Sequence, residues 1–133
     1  MKLEIITPNK SIKEEKVDFV SMEGTEGSFG VLPGHTPLLA ELKIAPLHYV
    51  KNDKKEFVAV MGGIVRVLPD CVMITTEDAE RAVEIDVLKA HKEKADAEAY
   101  LTKKVEITDM IKAEAQLRKA LVRLKVVEVS KRI

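Results

Sequence analysis

Tryptophan is absent from this chain, cysteine occurs once, and neither glycine nor proline occurs after Pro69. Each absence excludes something. With Phe19, Phe29, Phe57, Tyr49 and Tyr100 as the whole aromatic inventory, stacking platforms for nucleic acid are nearly missing. A single cysteine, Cys71, excludes an internal disulfide and a thiolate metal cluster. It lies in the apolar run Cys71-Val72-Met73-Ile74, has no evident partner base, and reads as a buried small side chain. No uncharged stretch approaches the ~20 apolar residues that cross a bilayer. The opening residues acquire a charge at Glu4 and stop at Pro8, unlike a signal-peptide core. The expectation is a soluble protein without direct membrane insertion.

Catalytic motifs are missing too. His35, His48 and His91 fall in three separate segments without metal-ligand spacing, so no metal site is expected. There is no phosphate-cradling GxxxxGK[ST] loop. Gly24, Gly27 and Gly30 are spaced by three but do not open a dinucleotide-binding helix, and Pro33 follows at once. They read as turn chemistry. A small hydrolase using His35 or Cys71 lacks any local base–nucleophile arrangement.

What is present divides near residue 84. All six glycines and five prolines lie between Pro8 and Pro69, whereas Ile85 to Ile133 is rich in Ala, Lys, Glu and Leu. Glycine and proline punctuate turns and are costly inside helices. A turn-rich β domain over 1–84 followed by a helical domain over 85–133 is therefore predicted. The charges divide at the same place. Residues 1–84 carry ten Lys/Arg against fourteen Asp/Glu, and residues 85–133 carry twelve against eight. A neutral chain is thus an acidic module of −4 joined to a basic one of +4. The pattern suits an interaction protein with two working surfaces.

Alternation over Lys2–Thr7, the extended pieces Ser11–Glu14 and Lys16–Met22, and a short Val31-Leu32 strand open the β part. The strongest strands are Phe57–Met61, Ile64–Leu68 and Val72–Thr75, with Ala82-Val83-Glu84 as a last edge. Lys54 and Lys55 fit an exposed hairpin tip, and Gly62-Gly63 fits a bulge or a close backbone approach. Many short strands without an intervening helix favour a sandwich or barrel. From Asp86, a natural N-cap, the period becomes helical through Leu101, with a mostly alanine face. A connection falls around 103–106. Thr108 is the expected N-cap of a second helix, in which Met110, Ala113, Leu117, Leu121 and Leu124 trace a seam. The two helices suit an antiparallel hairpin.

Both helices begin with Asp, two residues, then Lys-Ala: Asp86 with Lys89-Ala90, and Asp109 with Lys112-Ala113. An Asp at a helix start accepts backbone N–H groups, so this is also ordinary helix-start design. From Lys112 to Arg132 there are seven cations against Glu114 and Glu128. Such a face suits an acidic protein surface or simple solvation better than nucleic acid, given the neutral chain and scarce aromatics.

Together, Leu3-Glu4-Ile5-Ile6-Thr7-Pro8, the segment Glu26-Gly27-Ser28-Phe29-Gly30-Val31-Leu32-Pro33-Gly34-His35-Thr36-Pro37-Leu38-Leu39, Gly62-Gly63 before Ile64-Val65, and the alanine-rich basic hairpin carry a resemblance. Over nearly its whole length the chain resembles the epsilon subunit of bacterial F-type ATP synthases, most of all Bacillus-type members. The resemblance implies a β-sandwich of about ten strands followed by a two-helix regulatory domain. It implies a non-catalytic central-stalk rotor subunit, peripheral on the cytoplasmic face of the cell membrane. Its partners would be the gamma subunit, the c-subunit ring and, in the inhibitory state, the catalytic beta and alpha subunits. The His35 loop would belong to the rotor interface. The helices would move between a compact hairpin and an extended form that restrains ATP hydrolysis. Lys112, Arg118, Lys119, Arg123 and Lys125 would then meet acidic surface on the beta subunits.

No cofactor is required, but ATP is implied as a regulatory ligand of the compact hairpin. Asp86 and Asp109 match the aspartates of the family's Ile/Leu-Asp-x-x-Arg-Ala motif, whereas Lys89 and Lys112 stand where arginine is usual. Lysine keeps the charge and loses the rigid fork that holds phosphate bidentately. Arg118 and Arg123 are the phosphate-side pair, and the aspartates fix helix starts or receive ribose or adenine donors. The alternative is a cytosolic adaptor with a basic helical hairpin unrelated to ATP synthesis.

Overall fold

The computed structural model describes residues 1–103 and 106–132. Eight strands precede two helices: β1 Lys2–Ile6, β2 Ser11–Glu14, β3 Phe19–Gly24, β4 Gly27–Val31, β5 Leu38–Lys51, β6 Lys54–Leu68, β7 Cys71–Thr75, β8 Ala79–Arg81, α1 Val87–Leu101 and α2 Ile107–Ser130. The strands run in the order β2-β1-β7-β6-β5-β3-β4, with β8 also pairing β6. All pairings are antiparallel except β1 with β7.

The two long strands make this connected sheet a sandwich. Gly62 and Gly63 have φ of +77° and +112°, a backbone state that glycine adopts without strain. A Cβ on Gly63 would collide with the Thr75 carbonyl. Before this point β6 pairs with β8 through Val58–Val60; after it, β6 pairs with β7 through Ile64–Leu68. Counting each arm of β5 and β6 separately turns eight strands into the expected ten or so. At the far end of the β5–β6 hairpin, Asn52 and Asp53 have φ of +53° and +61°, the left-handed pair that a two-residue turn needs.

The core lies inside the sandwich. Leu3, Ile5, Val20, Leu47, Tyr49, Val65 and Ile74 are each at most 1% exposed. In β6, Val58 and Val60 face this core, while Ala59 and Met61 point the other way into a second cluster with Ile85, Val122 and Val126. α2 covers that outer face, packing on β5 and β6, and α1 packs mainly on α2. The unbroken apolar run from Phe57 to Met61 is therefore buried on both sides.

Several expectations need correction. Val31-Leu32 is not a separate strand: β4 begins at Gly27, so part of the glycine cluster is sheet. Ala82–Glu84 is a 3-10 turn, because the edge pairing to β6 ends at Arg81. α2 starts after Glu106, leaving Thr108 inside the first turn, with no side-chain cap. Its buried line is Ala113, Ala120, Val122 and Val126, while Met110 and Leu121 are exposed. The seam differs because α2 has two targets, α1 and the sheet, and Val122 and Val126 meet the sheet residues Ala59 and Met61. Cys71 is half-buried, not enclosed. Within the expected inter-helix connection, Lys104 and Val105 lie outside the described residues.

Candidate functional site

The junction of α1, α2 and the sheet concentrates charge. Asp86 caps α1: its Oδ1 accepts the Lys89 backbone N–H at 3.0 Å. This is the role expected from its position before a helical run. In the C-terminal half of α2, Arg123 points back at the sheet. Its Nε donates to Glu80 Oε1 at 2.6 Å, Nη2 lies 3.5 Å from Asp78 Oδ2, and Nη1 lies 3.6 Å from Glu93 Oε2 on α1. A single guanidinium thus bridges three elements, using a fork that lysine lacks. Four residues earlier, Lys119 pairs with Glu77. The same-face placement follows from helical spacing.

Beside Arg123 is an open cavity of about 790 Å³. Asp86 and Lys89 line it together with Arg123, but so do Asp78, Glu80, Glu84, Glu93 and Asp96. Six carboxylates face four cations, Lys10 and Lys92 being the others. Asp109 and Lys112 lie elsewhere, in a cavity of about 310 Å³ between the helices beside Tyr100 and Gln116. Arg118 lines neither and is exposed. Of the six residues expected to share a nucleotide, the fold brings together Asp86, Lys89 and Arg123 and separates the rest. The antiparallel geometry is the reason: it places the start of α1 beside the late turns of α2.

The five basic residues of the expected inhibitory face also divide. Lys112, Arg118 and Lys125 are exposed, whereas Lys119 and Arg123 are turned onto carboxylates of the sandwich. His35 occupies the loop between β4 and β5, with Nδ1 donating to the Thr36 carbonyl at 2.6 Å. Around that end of the sandwich the loop residue Leu32 and the strand residues Leu39 and Ile64 are each more than half accessible. Leu39 and Ile64 were named from the sequence only within a resemblance and a strand, not as contact residues. The signal was large apolar residues inside a turn-rich region, on the face that strand alternation assigns to solvent.

A second ionic group ties strand edges together near the 3-10 turn. Glu14 on β2 accepts from Arg81 on β8 at 2.9 Å and from Lys51 on β5 at 3.1 Å. Arg81 also donates to the Tyr49 hydroxyl at 2.9 Å. The Arg81 hydrogen bond, aided by Lys51, holds the Glu14 carboxyl below its ordinary range against the opposing effect of burial. His48 lies between Phe19 and Phe57, at ring-centroid distances of 6.0 and 5.4 Å, where desolvation and Lys55 push its pKa down. No cluster of three or more His, Cys, Asp or Glu able to hold a metal occurs among the described residues.

Comparison with known proteins decides the family. Residues 1–82 match the ATP synthase delta/epsilon chain β-sandwich domain, and residues 84–128 match the long α-helix domain of the same chain. The chain belongs to the ATP synthase delta/epsilon chain family. It is 44% identical over 128 residues to the ATP synthase epsilon chain of Syntrophobacter fumaroxidans, covering 96% of each chain. It is 40% identical over 126 residues to that of Bacillus licheniformis, covering 95% of this chain and 96% of the other. Its fold is similar to a chain in the Euglena gracilis mitochondrial ATP synthase OSCP/F1/c-ring structure, with a TM-score of 0.78 and 26% identity over 96% of this chain and 79% of that one. A Tetrahymena thermophila central stalk/c-ring chain shares the fold at a TM-score of 0.57 and 16% identity, with 95% of each chain covered.

As a member of this family the chain is a non-catalytic subunit of ATP synthase. The adaptor alternative is thereby set aside. No described helix is long and apolar enough to cross a membrane.

Proposed function

We propose that the sandwich fixes this subunit to the rotor and that the helical hairpin leaves it to restrain ATP hydrolysis at the catalytic alpha and beta subunits. The observation that carries this reading is the unequal anchoring of the two parts. The sandwich has a continuous core, while α2 rests on it chiefly through Val122, Val126 and ion pairs. A gamma subunit and a c-subunit ring on the cytoplasmic face of the membrane are the partners that suit the apolar end around the His35 loop. Exposed leucine and isoleucine at a sheet end are costly unless covered. Deleting residues 85–133 from the assembled enzyme should raise ATP hydrolysis while residues 1–84 still co-purify with gamma. Hydrolysis unchanged by the deletion would refute the inhibitory role.

ATP is the regulatory ligand we assign to the compact hairpin. Support comes from the cavity of about 790 Å³, where Asp86 and Lys89 of the α1 start meet Arg123 of α2. A ligand held by both helices favours the arrangement that juxtaposes them. Binding is weak, since six carboxylates line the cavity and Arg123 is already paired. Calorimetric titration of the whole chain should show saturable binding that Asp86→Ala and Arg123→Ala both weaken. No saturation at millimolar ATP removes this role.

A further inference from the structure

The basic face of α2 has a partner inside its own chain. Between β7 and β8 and into β8, Glu77, Asp78 and Glu80 place three carboxylates within four residues, anchored by the fully buried Ala79. The segment is held rigidly. The Met61 N–H donates to the Asp78 carbonyl at 3.1 Å, and the Ala79 N–H donates to Asp78 Oδ1 at 2.9 Å. This ridge receives Lys119 and Arg123, which follow one another by a helical turn.

We propose that the Glu77–Glu80 ridge is an intramolecular decoy for the basic face of α2, retaining Lys119 and Arg123 in the compact form and so limiting inhibition. The proposal rests on the inhibitory reading given above. A cation paired with the ridge is withdrawn from any external acidic surface, so the two dockings exclude each other. Arg123 and Glu80 dominate the latch because both side chains are less than one-fifth exposed, where solvent screens the pair weakly. Lys119–Glu77 is wetter and contributes less. The ridge also sets register: sliding α2 by one turn would leave one cation without its carboxylate and lift Val122 and Val126 from their cluster. Arg118 and Lys125 stand outside the latch and remain free to meet an external surface in either form.

The signature is a reversal of sign. Neutralising the ridge with Glu77→Gln, Asp78→Asn and Glu80→Gln keeps the Asp78 Oδ1 acceptor while removing charge. In the isolated full chain, amide exchange along α2 should accelerate about tenfold, as expected for losing a network of part-buried pairs. In the assembled enzyme, with Asp86→Ala as the common background to weaken ATP at the neighbouring cavity, the same triple variant should lower ATP hydrolysis roughly two- to fivefold, whereas Arg118→Ala with Lys125→Ala should raise it. The charge exchange Glu80→Arg with Arg123→Glu should recover slow exchange relative to Glu80→Arg alone. Unchanged exchange in the triple variant overturns the proposal. So does unaltered or raised hydrolysis in the triple variant when Arg118→Ala with Lys125→Ala does raise it. If neither set moves hydrolysis while exchange accelerates, the retention by the ridge stands and the inhibitory reading falls.

Discussion

Leu3, Ile5, Leu47, Tyr49 and Ile74 are buried in the sandwich to 1% exposure or less, whereas the two helices, which pack on each other, bury Ala90 and Ala97 of α1 and Ala113 and Ala120 of α2. Four methyl groups, at about 0.8 kcal/mol for each buried CH₂, contribute about 3 kcal/mol. That gain does little against the entropy of ordering two helices. The alanines let α1 and α2 approach closely without committing them to each other. The sandwich gains from long, branched and aromatic side chains filling a continuous interior. The helices need α2's two valines and the Arg123 ion pairs to stay on the sheet. A region with a continuous interior and one held by few contacts are therefore built from different side-chain volumes.

Matched substitutions should separate the two regions. Leu47→Ala creates a cavity at a site 1% exposed and should lower global stability by about 2–5 kcal/mol in denaturant unfolding. Rotor attachment should weaken with it. Val126→Ala, at a site with no exposure, should cost the tail about 1–3 kcal/mol and accelerate amide exchange in α2. The sandwich midpoint should hardly move. If Val126→Ala lowers that midpoint as far as Leu47→Ala does, the two regions unfold as one unit and the contrast between them fails.

The change from strands to helices was legible because glycine and proline distribution, charge and hydrophobic period all change near residue 84. Asp86 was legible as a cap because capping is local chemistry between residues three apart. The faces of α2 were not. Met110 and Leu121 fit a helical period as well as Val122 and Val126 do, and only the position of the sheet decides which pair is covered. Likewise, nothing local in the sequence marks Glu77, Asp78 and Glu80. Their pairing with Lys119 and Arg123 joins residues some forty positions apart, a relation that no local spacing encodes. The resemblance placed Asp86, Asp109 and the arginines in one candidate site, yet the antiparallel hairpin distributes them over two cavities and an exposed face.

The smallest predicted effect sharpens the comparison where the regions meet. Glu14 is held below the ordinary glutamate range first by its hydrogen bond to Arg81, then by Lys51, with burial opposing both. Burial would likewise raise Glu84, but Lys10 and the Arg81 backbone N–H outweigh it and lower its pKa. A carboxylate with a depressed folded-state pKa binds fewer protons folded than unfolded. Its contribution is present above the unfolded value, about 4.3 for glutamate, and is lost as pH falls through the folded value. Stability of the sandwich edges next to the 3-10 turn should therefore decline on acidification below about pH 5. Glu14→Gln should flatten this decline, measured as unfolding free energy across that range, whereas Leu47→Ala should lower the whole curve and keep its slope. The contrast follows from chemistry: a methylene does not titrate, and the carboxylate that joins β2 to β5 and β8 does. Parallel acid limbs in the parent chain and Glu14→Gln would mean that the Arg81 bridge contributes nothing to holding those edges.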